Sequence, residues 1–557
     1  AMPGESVLTS FDLIVFLGFF AVVVAVSLYA SRHEQTSEDY FLAGRRLTWP
    51  LIGFSLIASN ISTEHFVGMA GSAFGRVGMA IASYEWMAAV TLVIVAWWLL
   101  PKFLKAGIYT MPEYLEYRYD HGTRAIMATY LMIAYVIVLL ATVLYSGSIA
   151  LNAIFDIPGV LARKYHLAPQ AAEHYAAVIG IWGIGIIAGA YTVYGGLKAV
   201  VWSDLIQGAA LLLGGAMVAF LGLQMLGDGN VIEGWRNFAA AEGDKLHVVL
   251  PWNDPDVPWL AVFIGGLWIP NLFYWGLNQF ITQRTLGARS LAEGQKGILF
   301  AAAIKLLIPF IIVIPGIMAF QLFGPQIEAL GGNVGDKAYP YMISRILPPQ
   351  LRGIMFAALC GAVMSTFNSG LNSASTIFTI DIYRRYLRPQ ASPRHEVTVG
   401  RISTGVIVVV SCLWAPVISK FEGVFKYIQE IWGFITPGIV AAFLVGLVVK
   451  KAPPSAAKRA MLLGLPLYGF CRFGGNLWPA ESVPAWLAAF HGWAFLHHMG
   501  LVFLALVAYM LLVTWRDPLE KPAEMPVSKV DVAVHPQVYL LGSLIIAATT
   551  ALYLLFW

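Results

Sequence analysis

Fourteen apolar stretches, each long enough to cross a lipid bilayer, constrain this chain of 557 residues more than any other feature. A transmembrane α-helix needs about 20 consecutive, mostly apolar residues. The stretches cover 9–31, 48–74, 79–101, 124–154, 175–194, 200–226, 257–282, 297–323, 353–380, 401–419, 427–449, 459–478, 488–515 and 537–557. They predict an all-α polytopic membrane protein with about 14 transmembrane helices.

The composition agrees with this class and excludes several others. Apolar residues make up 59% of the chain and charged residues 12%, whereas an ordinary soluble domain has ~45–50% and ~25%. A net charge of +4 is too small to indicate nucleic acid as a partner. The glycine pairs Gly195-Gly196 and Gly265-Gly266 lack the pattern of a nucleotide-binding loop. The lipid bilayer is therefore the predicted surrounding, and no enzymatic activity is predicted.

The distribution of basic residues predicts which side of the membrane each loop faces. Lys and Arg collect on the cytoplasmic side of a membrane protein. If the N-terminus lies outside, 23 of the 35 basic residues fall in inner segments and ten in outer segments. The sequence therefore predicts a multi-pass protein of the inner (plasma) membrane with both termini on the outer side.

Three polar stretches interrupt the apolar runs, at 58–65, 271–279 and 365–373. Polar groups inside a membrane span are costly and usually functional. The first stretch lies in the second run and the next in the seventh run, five helices apart. Transporters built from inverted repeats place broken helices at corresponding positions of their two halves. Polar packing between helices is the alternative, but two interruptions in register favour a transporter.

This spacing predicts two inverted five-helix repeats, each with a broken first helix. The predicted division of the chain is an extra span and inner loop at 1–46, a first repeat at 47–227, an outer loop at 228–256, a second repeat at 257–450 and three additional spans at 451–557.

Four longer motifs resemble the sodium/solute symporter family. They are EDYFLAGR at 38–45, YTMPEYLEYR at 109–118, YGGLKAVVWSDLIQ at 194–207 and NSASTIFTIDIY at 372–383. Within that family the chain looks most like bacterial sodium/glucose and sodium/galactose cotransporters. The resemblance implies a LeuT-type fold, Na+ as the coupling ion and a small sugar as the substrate.

The resemblance also implies a sugar site. The matching residues are Asn60, His65, Glu85, Asn271, Tyr274, Trp275, Lys305 and Gln429. Tyr84, which precedes Glu85, and Asn278 in the second polar stretch are predicted to join them. Tyr274 is expected to stack on the sugar ring, and Asn271 is expected to hold the Tyr274 hydroxyl. An aromatic platform with converging polar groups suits a sugar, which has an apolar ring face and a rim of hydroxyls. For Lys305, the membrane interface, a carboxylate and a substrate hydroxyl remain alternative partners.

A sodium site is implied in the same way. Its expected ligands are the backbone carbonyls of Ala58, Ile61 and Ala362 and the hydroxyls of Ser365 and Thr366. An unwound helix supplies free carbonyls to a cation without burying a fixed negative charge. The alternative for the Ser-Thr pair is bonding to the carbonyl four residues earlier in the helix.

Asp204 lies near the predicted inner end of the sixth run and has three candidate roles. It is a residue of the sodium exit path, part of a second sodium site with Asn368 and Ser369, or the partner of an arginine in an inner loop. Relatives that move two sodium ions carry a Thr-Ser pair where this chain has Asn368-Ser369, which favours one ion.

The function predicted from these features is sodium-coupled symport, by alternating access, of a monosaccharide such as glucose or galactose. A sodium-coupled carrier of another polyol such as inositol is the alternative within the family. Outside it, a sugar sensor or a channel on the same fold remains open. The oligomeric state is not predicted.

Overall fold

The computed structural model describes residues 10–33, 35–155, 157–329, 334–420, 424–478 and 483–557. These residues are largely helical, and their β pairing consists of two isolated bridges, Leu47 with Ala288 and Leu250 with Pro258. An all-helical membrane fold is what long apolar sequences predict, because a helix satisfies its own backbone groups inside lipid.

The helices follow one another along the whole described chain. The first half contains α1 (Ser10–Ala30), α2 (Ser37–Leu42), α3 (Trp49–Asn60), α4 (Ala70–Phe74), α5 (Ser83–Ile94), α6 (Leu100–Ala106), α7 (Met111–Arg118), α8 (His121–Ile133), α9 (Ala141–Phe155), α10 (Ile157–Tyr165), α11 (Pro169–Leu226) and α12 (Val231–Ala241). The second half contains α13 (Trp259–Phe263), α14 (Trp268–Leu272), α15 (Gln279–Leu286), α16 (Leu291–Glu328), α17 (Val334–Ile346), α18 (Pro349–Thr376), α19 (Pro393–Trp414), α20 (Val424–Val448), α21 (Pro454–Phe473), α22 (Ala485–His491), α23 (Phe495–Arg516) and α24 (Gln537–Leu555). Wider π-helical segments occur at Glu64–Met69, Val95–Leu99, Ala134–Leu140, Phe273–Leu277 and Ile377–Leu387.

Among the described residues, 12 helical stretches are long and apolar enough to cross a membrane. The second and twelfth predicted runs have no counterpart among these 12. The second run is too broken to count as one span, because it is divided between α3 and α4. The twelfth run corresponds to α21, which carries the charges of Lys458, Arg459 and Arg472. The total of about 14 spans and the symmetry of the repeats stay predictions.

Both predicted helix interruptions are confirmed. Helix α3 ends at Asn60, and Ile61 is extended, with φ −74° and ψ 113°. The π segment that follows α14 ends in the same way at Asn278, with φ −80° and ψ 120°. Carbonyl groups in the last turn before such a break lose their intrahelical partners and become available to other donors.

The fifth and sixth predicted runs form one long helix, α11, that is broken at Gly196. This residue has φ 53° and ψ −146°, a backbone conformation that favours glycine. A Cβ atom at this position would lie 2.3 Å from the carbonyl oxygen of Tyr40. Glycine is therefore required both by the bend and by the close passage of the 38–45 motif.

Helix α18 occupies the centre of the molecule. In its most apolar window 94% of the residues are buried, compared with 11% in α1 at the periphery. Helix α18 packs against α3, α9 and α11, so its polar stretch at 365–373 lies beside the first broken helix. The start of α3 is joined to the end of α15 by a bond from the Leu47 N–H to the Gly287 carbonyl, 3.1 Å long. The two broken helices are thereby held next to each other.

Candidate functional site

A cavity lies between the two broken helices. Its wall combines aromatic and aliphatic side chains with a small number of polar ones, the usual character of a small-molecule site. The polar and aromatic residues at its wall include Asn60, Ser62, Glu64, His65, Tyr84, Glu85, Asn271, Tyr274, Trp275, Thr366 and Trp432.

A buried acid–base pair stands at the edge of this cavity. The Lys305 Nζ atom lies 2.6 Å from Glu85 Oε2 and also donates to Asn60 Oδ1. The other oxygen of Glu85 is 3.3 Å from His65 Nε2. Of the alternatives for Lys305, the structure therefore contains the carboxylate partner. Helices α3, α5 and α16 and the segment after α3 bring these four predicted site residues together, although they lie far apart in sequence.

An aromatic ring completes the surroundings of the lysine. The Lys305 Nζ atom lies 4.9 Å from the centre of the Trp275 ring, within the range of a cation–π contact. Lys305 is fully buried and the Glu85 side chain is 4% exposed, so neither is stabilised by bulk water. A buried charged group without a partner is expensive, and a ligand that displaces one contact must therefore supply an equivalent hydrogen bond.

Tyr274 also reaches this cluster, but its partner differs from the predicted one. Asn60 Nδ2 donates to the Tyr274 hydroxyl at 3.1 Å, and Asn271 does not hold it as expected. Asn271 and Tyr274 lie one turn apart on the same helical segment, and the long tyrosine side chain extends across to the opposite broken helix. The Asn271 Nδ2 atom is buried and has no hydrogen-bond partner among the described residues, although Asn271 lines the same cavity.

Asn278 caps a helix and is not among the residues that line this cavity. Its Oδ1 atom accepts the Phe280 N–H at 3.2 Å and also the Tyr135 hydroxyl. Asparagine is a favoured N-cap residue, and the extended backbone of Asn278 is the conformation that an N-cap adopts. The structure therefore gives Asn278 a capping role, and its contact with a sugar stays a prediction.

Two further predicted residues have different outcomes. Tyr84 is half-buried and lines the cavity. Gln429 belongs to helix α20, but its side chain lies outside the described residues, so its role stays a prediction.

Sequence reasoning missed Glu64 and Trp432 in the cavity wall. Glu64 lies in the polar stretch that supplied Asn60 and His65, so that signal was sufficient to find it. Trp432 is one aromatic residue in an apolar run, and nothing in its local sequence distinguishes it from lipid-facing or core residues.

Thr366, one of the predicted sodium ligands, contacts the end of α3 from α18. Thr366 Oγ1 lies 2.9 Å from the Ser59 carbonyl and 3.1 Å from the Ala362 carbonyl. The bond to the Ala362 carbonyl, four residues earlier in the helix, is the one expected if Thr366 has only a packing role. Ala58 and Ile61 are each 1% exposed in the same broken segment. Carbonyl and hydroxyl oxygens are suitable ligands for a hard cation such as Na+.

Asp204 is fully buried beside this region and is bonded to two helices. Its Oδ2 atom accepts from Ser55 at 2.5 Å and from Ser59 at 3.2 Å, and its Oδ1 atom accepts from Ser365. It also pairs with Arg284 at 3.1 Å, so an arginine partner, one of its candidate roles, is present, although Arg284 lies in helix α15 and not in a loop.

The two residues proposed to share a second site with Asp204 are buried on α18. The Ser369 hydroxyl lies 3.0 Å from Ser59 Oγ, so it belongs to the same hydroxyl cluster. The sequence did not single out Ser59 or Arg284 as site residues, because a serine in a helix and an arginine near a loop are both common.

Comparison with known proteins gives the family. The sodium:solute symporter family matches residues 40–464. A sodium/glucose cotransporter of Vibrio parahaemolyticus is 40% identical over 492 residues, which cover 84% of this chain and 86% of that protein. The mouse sodium/myo-inositol cotransporter 2 is 33% identical over 495 residues, with 84% of this chain and 70% of the relative covered.

Solved structures support the fold. A Na+-coupled sialic acid symporter in a substrate-bound outward-open state superposes with a TM-score of 0.76 at 22% identity, covering 93% of this chain and 99% of that one. A nucleobase-cation-symport-1 family transporter gives 0.51 at 13% identity, covering 87% and 96%. The family match, the two close relatives and the shared fold together place this chain in the sodium:solute symporter family.

Proposed function

We propose that the protein is a sodium-coupled symporter that imports a monosaccharide such as glucose or galactose through the plasma membrane. The observation that carries this proposal is that Glu85 and Asn60 line a cavity between two broken helices, while the buried Lys305 donates to both of them. The 40% identity to a sodium/glucose cotransporter supports the choice of substrate. Both termini are proposed to lie on the outer side.

The cavity offers a sugar both kinds of contact that it needs. Trp275 and Tyr274 provide flat surfaces for the ring, while Glu85 and His65 offer polar groups to hydroxyls and Lys305 lies directly behind Glu85. Charge-assisted hydrogen bonds are stronger than neutral ones. A sugar hydroxyl that enters between Lys305 and Asn60 keeps both polar groups satisfied, because a hydroxyl can donate and accept at once.

Sodium is proposed to bind at the junction of α3 and α18. The ligands would be the carbonyls of Ala58, Ile61 and Ala362 and the hydroxyls of Ser365 and Thr366. In the structure Ser365 and Thr366 bond protein acceptors, and these hydroxyls can turn their oxygen lone pairs toward an ion. The membrane potential supplies ~2.3 kcal/mol per charge for each 100 mV. One sodium ion per sugar is proposed, with Asp204 on the exit path.

Alternating access follows from the position of the two sites. Ile61 and the carbonyls before it belong to the proposed sodium site, and Asn60 in the same break holds both Lys305 and Tyr274. An ion that fixes this break therefore also fixes the orientation of a sugar-binding side chain. This shared segment accounts for coupling, because either ligand favours the same arrangement of the broken helix.

Myo-inositol is the second candidate substrate, favoured by the 33% identity to a sodium/myo-inositol cotransporter. Inositol has a ring of hydroxyls like a hexose but lacks the ring oxygen. The cluster around Glu85 suits either molecule, so the choice depends on the remaining cavity wall.

The test is uptake of labelled glucose, galactose and myo-inositol by proteoliposomes that contain the purified protein. An inward sodium gradient is compared with a potassium gradient of equal size. We expect transient accumulation of a monosaccharide above its equilibrium level with sodium only. Stronger accumulation of myo-inositol would select the second candidate, and sodium-independent equilibration of all three would contradict symport.

A further inference from the structure

Arg284 is a buried charged residue that the proposed transport cycle does not yet use. Its side chain is 1% exposed, and it lies in the last turn of α15. The guanidinium donates to four acceptors: the Phe280 carbonyl at 2.7 Å, Asp204 at 3.1 Å, and the hydroxyls of Ser55 and Ser369. A buried arginine with this many specific partners is held in one position.

The partners of Arg284 are continuous with the proposed sodium site. Asp204 accepts from Arg284 through Oδ2 and from Ser365 through Oδ1. Ser365 is itself a proposed sodium ligand. An ion that leaves this ligand therefore meets the Asp204 carboxylate as its next oxygen group, and Arg284 occupies the far side of that carboxylate.

Arg284 is also the part of this cluster that can move with the second broken helix. Helix α15 contains eight residues, and it begins directly after the extended residue Asn278. The other partners of Asp204 lie on α3 and α18, which are separate elements. A rotation of α15 about the break at Asn278 would therefore withdraw the guanidinium from Asp204 and leave the serine hydroxyls in place.

We propose that Arg284 is a positioning residue for sodium release. The guanidinium and the departing sodium ion are alternative partners of Asp204, and they exchange when α15 moves. This inference rests on the proposed sodium site, and it adds a residue and a step to it. No bond is made or broken covalently, and the charge next to Asp204 stays balanced throughout.

The buried Asp204 carboxylate needs a cation beside it at every stage, which is why sodium and Arg284 would replace each other there. A carboxylate at full burial in a membrane protein needs a cationic partner, and the loss of one partner from a buried pair is strongly unfavourable. Arg284 can therefore leave Asp204 at low cost only when a cation replaces it. Movement of α15 is in this way linked to the presence of sodium.

The first test measures sodium binding by the purified full-length protein as the sodium concentration that gives half of the maximal thermal stabilisation. The variant is Arg284→Gln and the control is Arg289→Gln, which removes an arginine that is 63% exposed. The titration is run under alkaline conditions, where protons compete least for an unpaired carboxylate. We expect the midpoint of Arg284→Gln to fall roughly tenfold, while the control keeps the parent value. An unchanged midpoint in a folded Arg284→Gln protein would overturn the inference.

A double variant and a kinetic measurement complete the design. Adding Asp204→Asn to Arg284→Gln should abolish the gain in sodium affinity, and a gain that persists contradicts exchange at Asp204. If Arg284→Gln does not fold, Asp204→Asn alone is expected to slow sodium efflux from loaded proteoliposomes, and a parental efflux rate refutes the inference. A parent protein without sodium-dependent stabilisation would instead refute the proposed sodium site itself.

Discussion

Two buried acid–base pairs serve as a natural comparison within this molecule. Lys305 and Glu85 lie 2.6 Å apart, and Glu85 lines a cavity. Arg284 and Asp204 lie 3.1 Å apart inside a cluster of serine hydroxyls. Both pairs join separate helices, and all four side chains are at most 4% exposed.

The difference lies in what else each pair can reach. Glu85 lines the cavity, so a small molecule can replace part of the existing contacts without any helix moving. Asp204 and Arg284 are enclosed by Ser55, Ser369 and backbone groups, so their contacts change only if a helix moves. Buried charge pairs of similar geometry therefore suit different tasks, ligand binding in one case and control of a conformational step in the other.

The largest expected effect is the loss of sugar affinity when Glu85, the carboxylate of the Lys305–Glu85 pair, is removed. Glu85→Ala leaves Lys305 without its carboxylate and removes an acceptor for a sugar hydroxyl. A buried hydrogen-bond partner left unpaired costs about 1–3 kcal/mol, and more when the group is charged, so we expect sugar affinity to fall by up to about two orders of magnitude. The measurement is the sugar concentration for half-maximal uptake in proteoliposomes. Glu85→Gln, which keeps the shape and one acceptor, should lose less.

A second prediction concerns Gln429 on helix α20, which is a predicted sugar ligand. Loss of one buried hydrogen bond to a hydroxyl costs about 1–3 kcal/mol, so Gln429→Ala should weaken sugar binding while the protein still folds. Sugar titration of the purified protein measures this. Unchanged affinities in both Glu85→Ala and Gln429→Ala would show that the sugar binds elsewhere.

Alanine substitutions at Ser365 and Thr366 test the proposed sodium site next to the Arg284–Asp204 pair. Each removes a hydroxyl at the junction of α3 and α18, so each should raise the sodium concentration needed for half-maximal sugar uptake. Ser375→Ala is the matched control, because its hydroxyl lies on the same helix but bonds the Gly400 carbonyl at 2.8 Å. Parental sodium dependence in both site variants would assign the cation to a different place.

A smaller effect is expected from Tyr274→Phe. This change keeps the aromatic surface and removes only the hydroxyl that accepts from Asn60 at 3.1 Å. A hydrogen bond of this kind contributes about 1 kcal/mol, so sugar affinity should fall several-fold at most. Tyr274→Ala, which also removes the ring, should cost clearly more. Equal losses in the two variants would mean that the ring does not contact the sugar.

The smallest expected effect is a change in the unfolding free energy on loss of the ion pair between Lys458 and Asp120, which lies outside the membrane spans. Burial opposes ionisation of Asp120, but hydrogen bonds from Lys458 and Thr123 lower the pKa of its carboxyl overall. A carboxyl with a lowered folded-state pKa stabilises the protein above its unfolded pKa, and this contribution is lost as the pH falls through the folded value. The Lys458 and Asp120 side chains are 36% and 26% exposed, so solvent screens the pair, and Lys458→Ala should change the unfolding free energy by less than about 1 kcal/mol. Thermal melts across acidic pH would measure it.

The sequence was most informative where function leaves unusual residues in an apolar background. The breaks at Ile61 and Asn278 and the burial of Asp204 follow from polar residues at membrane depth. The pairing of α3 with α18 was implied only by the family resemblance. Partners were harder to predict. The bond from Asn60 to Tyr274 depends on how far a side chain reaches across a cavity, which linear spacing does not contain.

The same limit explains the other differences between prediction and structure. Asn278 is polar because a helix starts there, and a capping residue has the same composition signal as a ligand. Arg284 resembled one more basic residue near an inner loop, and only its position beside Asp204 distinguishes it. Long motifs identified the family, whereas the pairing of charged residues required three-dimensional structure.

The most direct test of the account is sugar binding to the purified protein at limiting and at saturating sodium, measured by calorimetric titration. Thr366 is decisive, because it lines the cavity and also contacts the Ser59 carbonyl at the proposed sodium site. The account predicts that Thr366→Ala binds sugar weakly at limiting sodium but as tightly as the parent at saturating sodium, while Glu85→Ala binds weakly at both. Weak binding by Thr366→Ala at every sodium concentration, with sodium rescue of Glu85→Ala, would contradict it.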